Sequence, residues 1–68
     1  MPITIRLNGD SRPLEGPLAV EALLRELGLD ARMVAVERNR DVVKRADYSR
    51  VEINDGDEIE IVAFVGGG

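Results

Sequence analysis

Cysteine, histidine and tryptophan are absent from the chain, and one tyrosine and one phenylalanine make up its aromatic content. Without thiols there is no disulfide framework, no thiolate nucleophile and no Cys/His zinc site. Without imidazole there is no histidine general base and no Ser-His-Asp arrangement. No apolar run approaches the ~20 residues that span a bilayer. The opening residues lack the basic and apolar regions of a secretion signal. A cytoplasmic protein without membrane contact is the expectation. Basic residues are also scarce: Lys and Arg number 9 against 13 Asp and Glu, for a formal net charge of −4. Phosphate contacts need a basic surface and base stacking needs aromatic rings, so nucleic-acid binding is disfavoured. An acidic surface steers toward a basic partner instead.

What is present fits one small domain. The chain has 68 residues, 44% of them hydrophobic, enough for a modest core. Ile3, Ile5 and Leu7 alternate with Thr4 and Arg6, the period of a half-buried strand. Asn8-Gly9 follows, a pair that tolerates the positive φ of a tight hairpin. It reads as a turn and nothing more, with Ser11 to Leu14 returning and Glu15-Gly16-Pro17 ending the hairpin. Val20, Leu23, Leu24 and Leu27 recur at helical spacing, and Gly28 stands where a left-handed cap is wanted. The helix is placed at about 19–28, with no Ser, Thr, Asp or Asn cap near Leu18-Ala19.

Met33 to Glu37 and Val42 to Lys44 read as strands about a polar turn, with a helical turn around Tyr48 and an extended piece at Val51 to Ile53. Asn54-Asp55-Gly56-Asp57 is a turn. It has two acids at calcium-loop spacing, but the other ligands of such a loop do not follow. Glu58 to Val65 is the longest strand. A hairpin, one helix with a single apolar stripe, short strands and a long final strand are best satisfied by an α+β β-grasp fold, a mixed sheet of about four to five strands packed on the helix. Residues 1–65 form the expected domain, and 66–68 a flexible C-terminal glycine tail.

The last strand carries the first functional signal. If Ile59 and Ile61 face the core, Ala63 and Val65 follow them, while Glu58, Glu60, Val62 and Phe64 point outward. An exposed Val62–Phe64 pair beside the tail is a contact surface for a partner. A bulge or curl of the strand would bury Phe64 instead. The second signal is Gly66-Gly67-Gly68. A glycine run is commonly a frayed end, but without side chains it can also thread a narrow channel. The group it would deliver is the α-carboxylate of Gly68.

These residues resemble the ThiS sulfur carriers of thiamine biosynthesis over nearly the whole chain. The resemblance runs through the opening Ile-Thr-Ile-Arg-Leu-Asn-Gly, the Val20-Glu21-Ala22-Leu23-Leu24 helix with Leu27-Gly28-Leu29, and Ala35-Val36-Glu37-Arg38-Asn39. It continues through Asp55-Gly56-Asp57-Glu58-Ile59-Glu60-Ile61-Val62 to Phe64-Val65-Gly66-Gly67-Gly68. It departs at Ala19, where Thr or Ser is usual, and at Ala63, where relatives often carry a polar residue or His.

The resemblance implies a carrier rather than an enzyme. A ThiF-like adenylating enzyme would couple Gly68 to AMP, using ATP and Mg²⁺ bound by that partner. Sulfur from a cysteine desulfurase relay would convert the end to a thiocarboxylate, and a ThiG-like thiazole synthase would consume it. Gly67 and Gly68 would be the carrier site and Gly66 a spacer. Val62 and Phe64 are the candidate docking residues, with Glu58 and Glu60 possible partners for basic groups. No cofactor is expected to bind stably, no metal site is assigned, and the free protein is expected to be a monomer. The alternative readings of the chain are a carrier of the same fold that delivers sulfur to molybdopterin or tRNA, a ubiquitin-like modifier joined to target lysines, and an interaction module whose glycine tail is inert. Arg38 and Arg40 flank a turn as solvated groups, and Lys44 alone supports nothing specific.

Overall fold

The computed structural model describes residues 1–64. Strand β1 (Ile3–Leu7) buries Ile3 and Ile5 and exposes Thr4 and Arg6, as the alternation requires. Asn8 and Gly9 turn the chain with φ of 50° and 87°. Strand β2 (Asp10–Leu14) then returns antiparallel, with Ile3 opposite Leu14 and Leu7 opposite Asp10. At this sheet edge Pro13 offers no N–H to a further strand.

A two-residue strand β3 (Leu18–Ala19) leads into helix α1 (Val20–Glu26), which buries Val20, Leu23 and Leu24. The helix is shorter than its apolar stripe because both ends are finished by other means. At the C-terminus Gly28 takes φ +71°. Its N–H donates to Arg25 O at 3.1 Å, and Leu29 N–H donates to Leu24 O at 2.9 Å, the paired closure of a Schellman cap. At the N-terminus Ala19 makes no side-chain cap. Val20 N–H donates instead to Val51 O at 3.0 Å and Glu21 N–H to Tyr48 O at 2.9 Å. Those carbonyls satisfy two of the unpaired donors of the first turn, and Glu21 N–H is one that a capping hydroxyl could have served.

After a 3₁₀ turn (Ala31–Met33), β4 (Val34–Arg38) and β5 (Asp41–Val43) form a second hairpin. Asn39 and Arg40 turn it at φ 51° and 72°. A 3₁₀ turn (Arg45–Asp47), β6 (Glu52–Ile53) and β7 (Glu58–Ala63) complete the described chain. The large sheet is five-stranded in the order β2-β1-β7-β4-β5, and β3 pairs with β6 separately. Strand β7 lies at its centre, parallel to β1 and antiparallel to β4. This mixed sheet over one helix is the β-grasp arrangement.

The core lies between helix and sheet, where Ile5, Leu23, Leu24, Val36, Ile53 and Ile59 are each at most 2% exposed. Among the described residues no charged side chain is buried in it. Core-face alternation along β7 holds for Ile59 and Ile61 and then fails: Ala63 is exposed. Ala63 still pairs with buried Val34, but the strand has there outrun the side chains that close the core. Val65, placed on the same face by the sequence, lies outside the described residues.

Candidate functional site

The outer face of β7 presents Glu58, Glu60 and Val62, and Phe64 follows directly. Val62 is 63% exposed and Phe64 54%, which decides between the two readings of Phe64: it is a surface residue. Register places Ala35, also exposed, opposite Val62, and Glu37 opposite Glu60. Phe64 N–H donates to Met33 O at 2.8 Å, carrying the ladder one step past the strand. Met33 is itself 45% exposed. The face is thus divided. Glu37, Glu58 and Glu60 form an acidic band, and Val62, Phe64, Ala35 and Met33 an apolar patch at the C-terminal end of β7. Phe64 also lines a shallow groove of about 360 Å³ with Ala35, Val42, Lys44 and Arg45.

The electrostatics separate the acids. Glu58 is half-buried and faces Arg40, with Oε1 3.5 Å from Nε. Glu60 is exposed and, among the described residues, forms no ion pair. Asp57 is a structural acid. Burial works to raise its carboxyl, but the bonds from Asn54 N–H and Asn39 and the nearby Arg38 charge outweigh burial and hold it below the ordinary carboxylate range. The distances are 2.9 Å from Asn54 N, 3.1 Å from Asn39 Nδ2 and 3.4 Å from Arg38 Nη1. Asp55 Oδ1 accepts from Thr4 N–H at 2.8 Å. Both acids of the Asn54–Asp57 turn are therefore engaged in holding it beside β1 and β4. Arg38, read as a solvated group, is instead one wall of this cluster. Ahead of Met33, Asp30 accepts from the Arg32 side chain and N–H, which hold its carboxyl at about 2.

The structure brings Val62 and Phe64 together with the end of β7 and places Glu58 and Glu60 farther back on the same face. Gly66, Gly67 and Gly68 lie outside the described residues. The sequence reading missed Ala35 and Met33. Their alternation with Val34 and Val36 was visible, but the strand opposite them was not.

Comparison with known proteins agrees with this geometry. The profile of the ThiS family matches residues 5–68. The sulfur carrier protein ThiS of Bacillus subtilis is 40% identical over 65 residues, which cover 94% of this chain and 98% of that protein. A thiazole synthase of Paramagnetospirillum magneticum is 55% identical over 62 residues, which cover 91% of this chain but 19% of that protein. One of Magnetococcus marinus is 45% identical over 64 residues, with 20% of that protein covered. The chain thus spans about a fifth of the length of those two relatives. The crystal structure of the thiamine biosynthesis protein ThiS from Geobacter metallireducens superposes with a TM-score of 0.84 at 33% identity, covering 97% of this chain and all of that one. The chain belongs to the ThiS family.

Proposed function

We propose that this protein is a sulfur carrier of thiamine biosynthesis, acted on by partner enzymes, and that it works through the α-carboxylate of Gly68. A carboxylate oxygen attacks the α-phosphorus of ATP on a ThiF-like adenylating enzyme, which holds the nucleotide and Mg²⁺. Pyrophosphate leaves and an acyl adenylate forms. The terminal sulfur of a persulfide, supplied by a cysteine desulfurase relay, then attacks the acyl carbon and expels AMP. A thiol then attacks the relay cysteine's sulfur of the remaining S–S bond, forming a disulfide with it and releasing the carrier's end as a thiocarboxylate. The sulfur is then nucleophilic yet tethered, and a ThiG-like thiazole synthase takes it into the thiazole ring. Gly67 and Gly68 pass through the partner's channel without side chains to obstruct it, and Gly66 gives them reach.

The observation that carries this reading is the exposed Val62–Phe64 patch immediately ahead of the glycines. Exposed apolar groups next to a delivery tail serve a partner, not the fold. The acidic band beside them matches a basic rim on that partner, with Glu60 its most accessible member and Glu58 shared with Arg40. Thiazole synthase is favoured as the sulfur acceptor because two relatives named for that activity contain a segment like this chain. The test is ATP–pyrophosphate exchange by the cognate adenylating enzyme. The intact carrier should support it, and a carrier lacking Gly67 and Gly68 should not. Equal exchange with both would reject Gly68 as the acting group.

A further inference from the structure

Asn8 does more than turn the β1–β2 hairpin. Strand β1 runs parallel to β7 with Arg6 opposite Glu58 and Leu7 opposite Ile59. In a parallel ladder the residue two along from Arg6 donates its N–H to one carbonyl of the neighbour and accepts from the N–H two residues further on. Asn8 makes the first bond with its main chain, N–H to Ile59 O at 2.9 Å. It makes the second with its side chain. At φ 50° the chain has turned away, and Oδ1 receives Ile61 N–H at 2.8 Å. Nδ2 then donates to Ile61 O at 3.2 Å, the bond a continuing β1 would have made with its next inward N–H. One carboxamide thus replaces the peptide groups that the hairpin diverts, and extends the β1 edge one step along β7.

The place of that step matters. Beyond Ile61, the described bonds and register of β7 lie on the β4 side alone: Val62 opposite Ala35, Ala63 opposite Val34, and Phe64 N–H on Met33 O. Asn8 is the last described tie on the other side. Asn39 makes a like substitution at the opposite end of the strand. Its N–H donates to Glu58 O at 2.7 Å, and its Oδ1 receives Glu58 N–H at 2.9 Å. It turns at φ 51° and supplies a natural control, similar in chemistry but at the far end of β7 from Val62 and Phe64.

We infer that Asn8 is a positioning residue for the carrier reaction: its carboxamide fixes the end of β7 and thereby the way Val62 and Phe64 are presented to the adenylating enzyme. This rests on the function proposed above. Asparagine alone combines ready access to positive φ with a donor and an acceptor on a one-carbon arm. Glycine keeps the turn and loses both bonds. Aspartate keeps the acceptor but sets a carboxylate against Ile61 O.

The test compares Asn8→Gly, Asn8→Asp and Asn39→Gly as substrates of the adenylating enzyme, with amide hydrogen exchange on each free carrier. Asn8→Gly should raise the KM for the carrier about five- to tenfold and change kcat by less than about twofold, because docking requires an ordered strand end whereas the bound tail is held by the enzyme. Exchange at Ile61 should quicken about tenfold or more, with Ile5 and Val36 unchanged. Asn8→Asp should move KM in the same direction, which keeps the test available if the glycine variant folds poorly. Asn39→Gly should leave KM within about twofold. A wild-type KM and wild-type Ile61 exchange in Asn8→Gly, or an equal KM rise in Asn39→Gly, would overturn the positioning role alone. A wild-type carrier that is not adenylated would overturn the carrier mechanism and this role with it.

Discussion

Replacing Phe64 by alanine separates docking from folding more cleanly than any other substitution on this surface. The ring is 54% exposed, so about half of its apolar area is already covered in the free carrier. Complete burial of a phenylalanine side chain is worth about 1.5–3 kcal/mol. Folding therefore uses about 1 kcal/mol of it, and an enzyme that covers the rest gains a similar amount. The Phe64→Ala carrier should stay folded, with a Tm lowered by no more than about 4–8 °C for a domain of this size. Its KM in adenylation should rise about five- to tenfold, since 1.4 kcal/mol is tenfold, with kcat little changed. Circular dichroism melts and steady-state pyrophosphate release measure the two quantities separately. An unfolded variant would mean that the ring belongs to the core, and an unchanged KM would mean that the patch is not the docking surface.

Other substitutions test the frame that presents this patch. Arg40→Gly removes a side chain from a φ of 72° and gives up an exposed 3.5 Å ion pair with Glu58. Relief of the left-handed backbone should outweigh so weak a pair, and denaturant unfolding should show a gain of about 0.5–1 kcal/mol. Asp57 sets an acid limit. Its folded carboxyl lies below the unfolded value of 3.8, so the stability it contributes is complete above that value and is lost as pH falls through the folded one. Asp57→Asn should be less stable by about 1–3 kcal/mol at neutral pH and should lose less stability on acidification than the parent, as urea melts across pH 2–7 would show.

Legibility from sequence followed the distance over which each feature is decided. Ile3, Ile5 and the Asn8-Gly9 turn, the Val20–Leu27 stripe and the Gly28 cap are fixed within a few residues of themselves, and all stand where the pattern put them. Ile59 and Ile61 follow from period two, and so does the exposure of Val62. The same period misplaces Ala63, because alternation assigns a face but not how far the core extends beneath it. The helix start is capped by the carbonyls of Tyr48 and Val51, which come from about thirty residues away, so Ala19 looked deficient when it was not. The two-residue pairing of β3 with β6 has no local signature at all. Asn8 is the instructive case. Its backbone role was plain in the Asn-Gly pair, whereas its side-chain role depends on Ile61, 53 residues further on. The docking patch was half legible for the same reason: Val62 and Phe64 lie on one strand, but Ala35 and Met33 join them only through the β4–β7 register.

The proposed function stands or falls with Gly68 as the group that carries the sulfur. Its most direct test is the intact mass of the carrier after incubation with the adenylating enzyme, ATP, Mg²⁺, a cysteine desulfurase, cysteine and a reducing thiol. A single product is expected, in which one oxygen of the Gly68 carboxylate is replaced by sulfur, dependent on ATP and absent when Gly68 is removed. An unchanged mass with active enzymes, or sulfur incorporation that survives loss of Gly68, would contradict it.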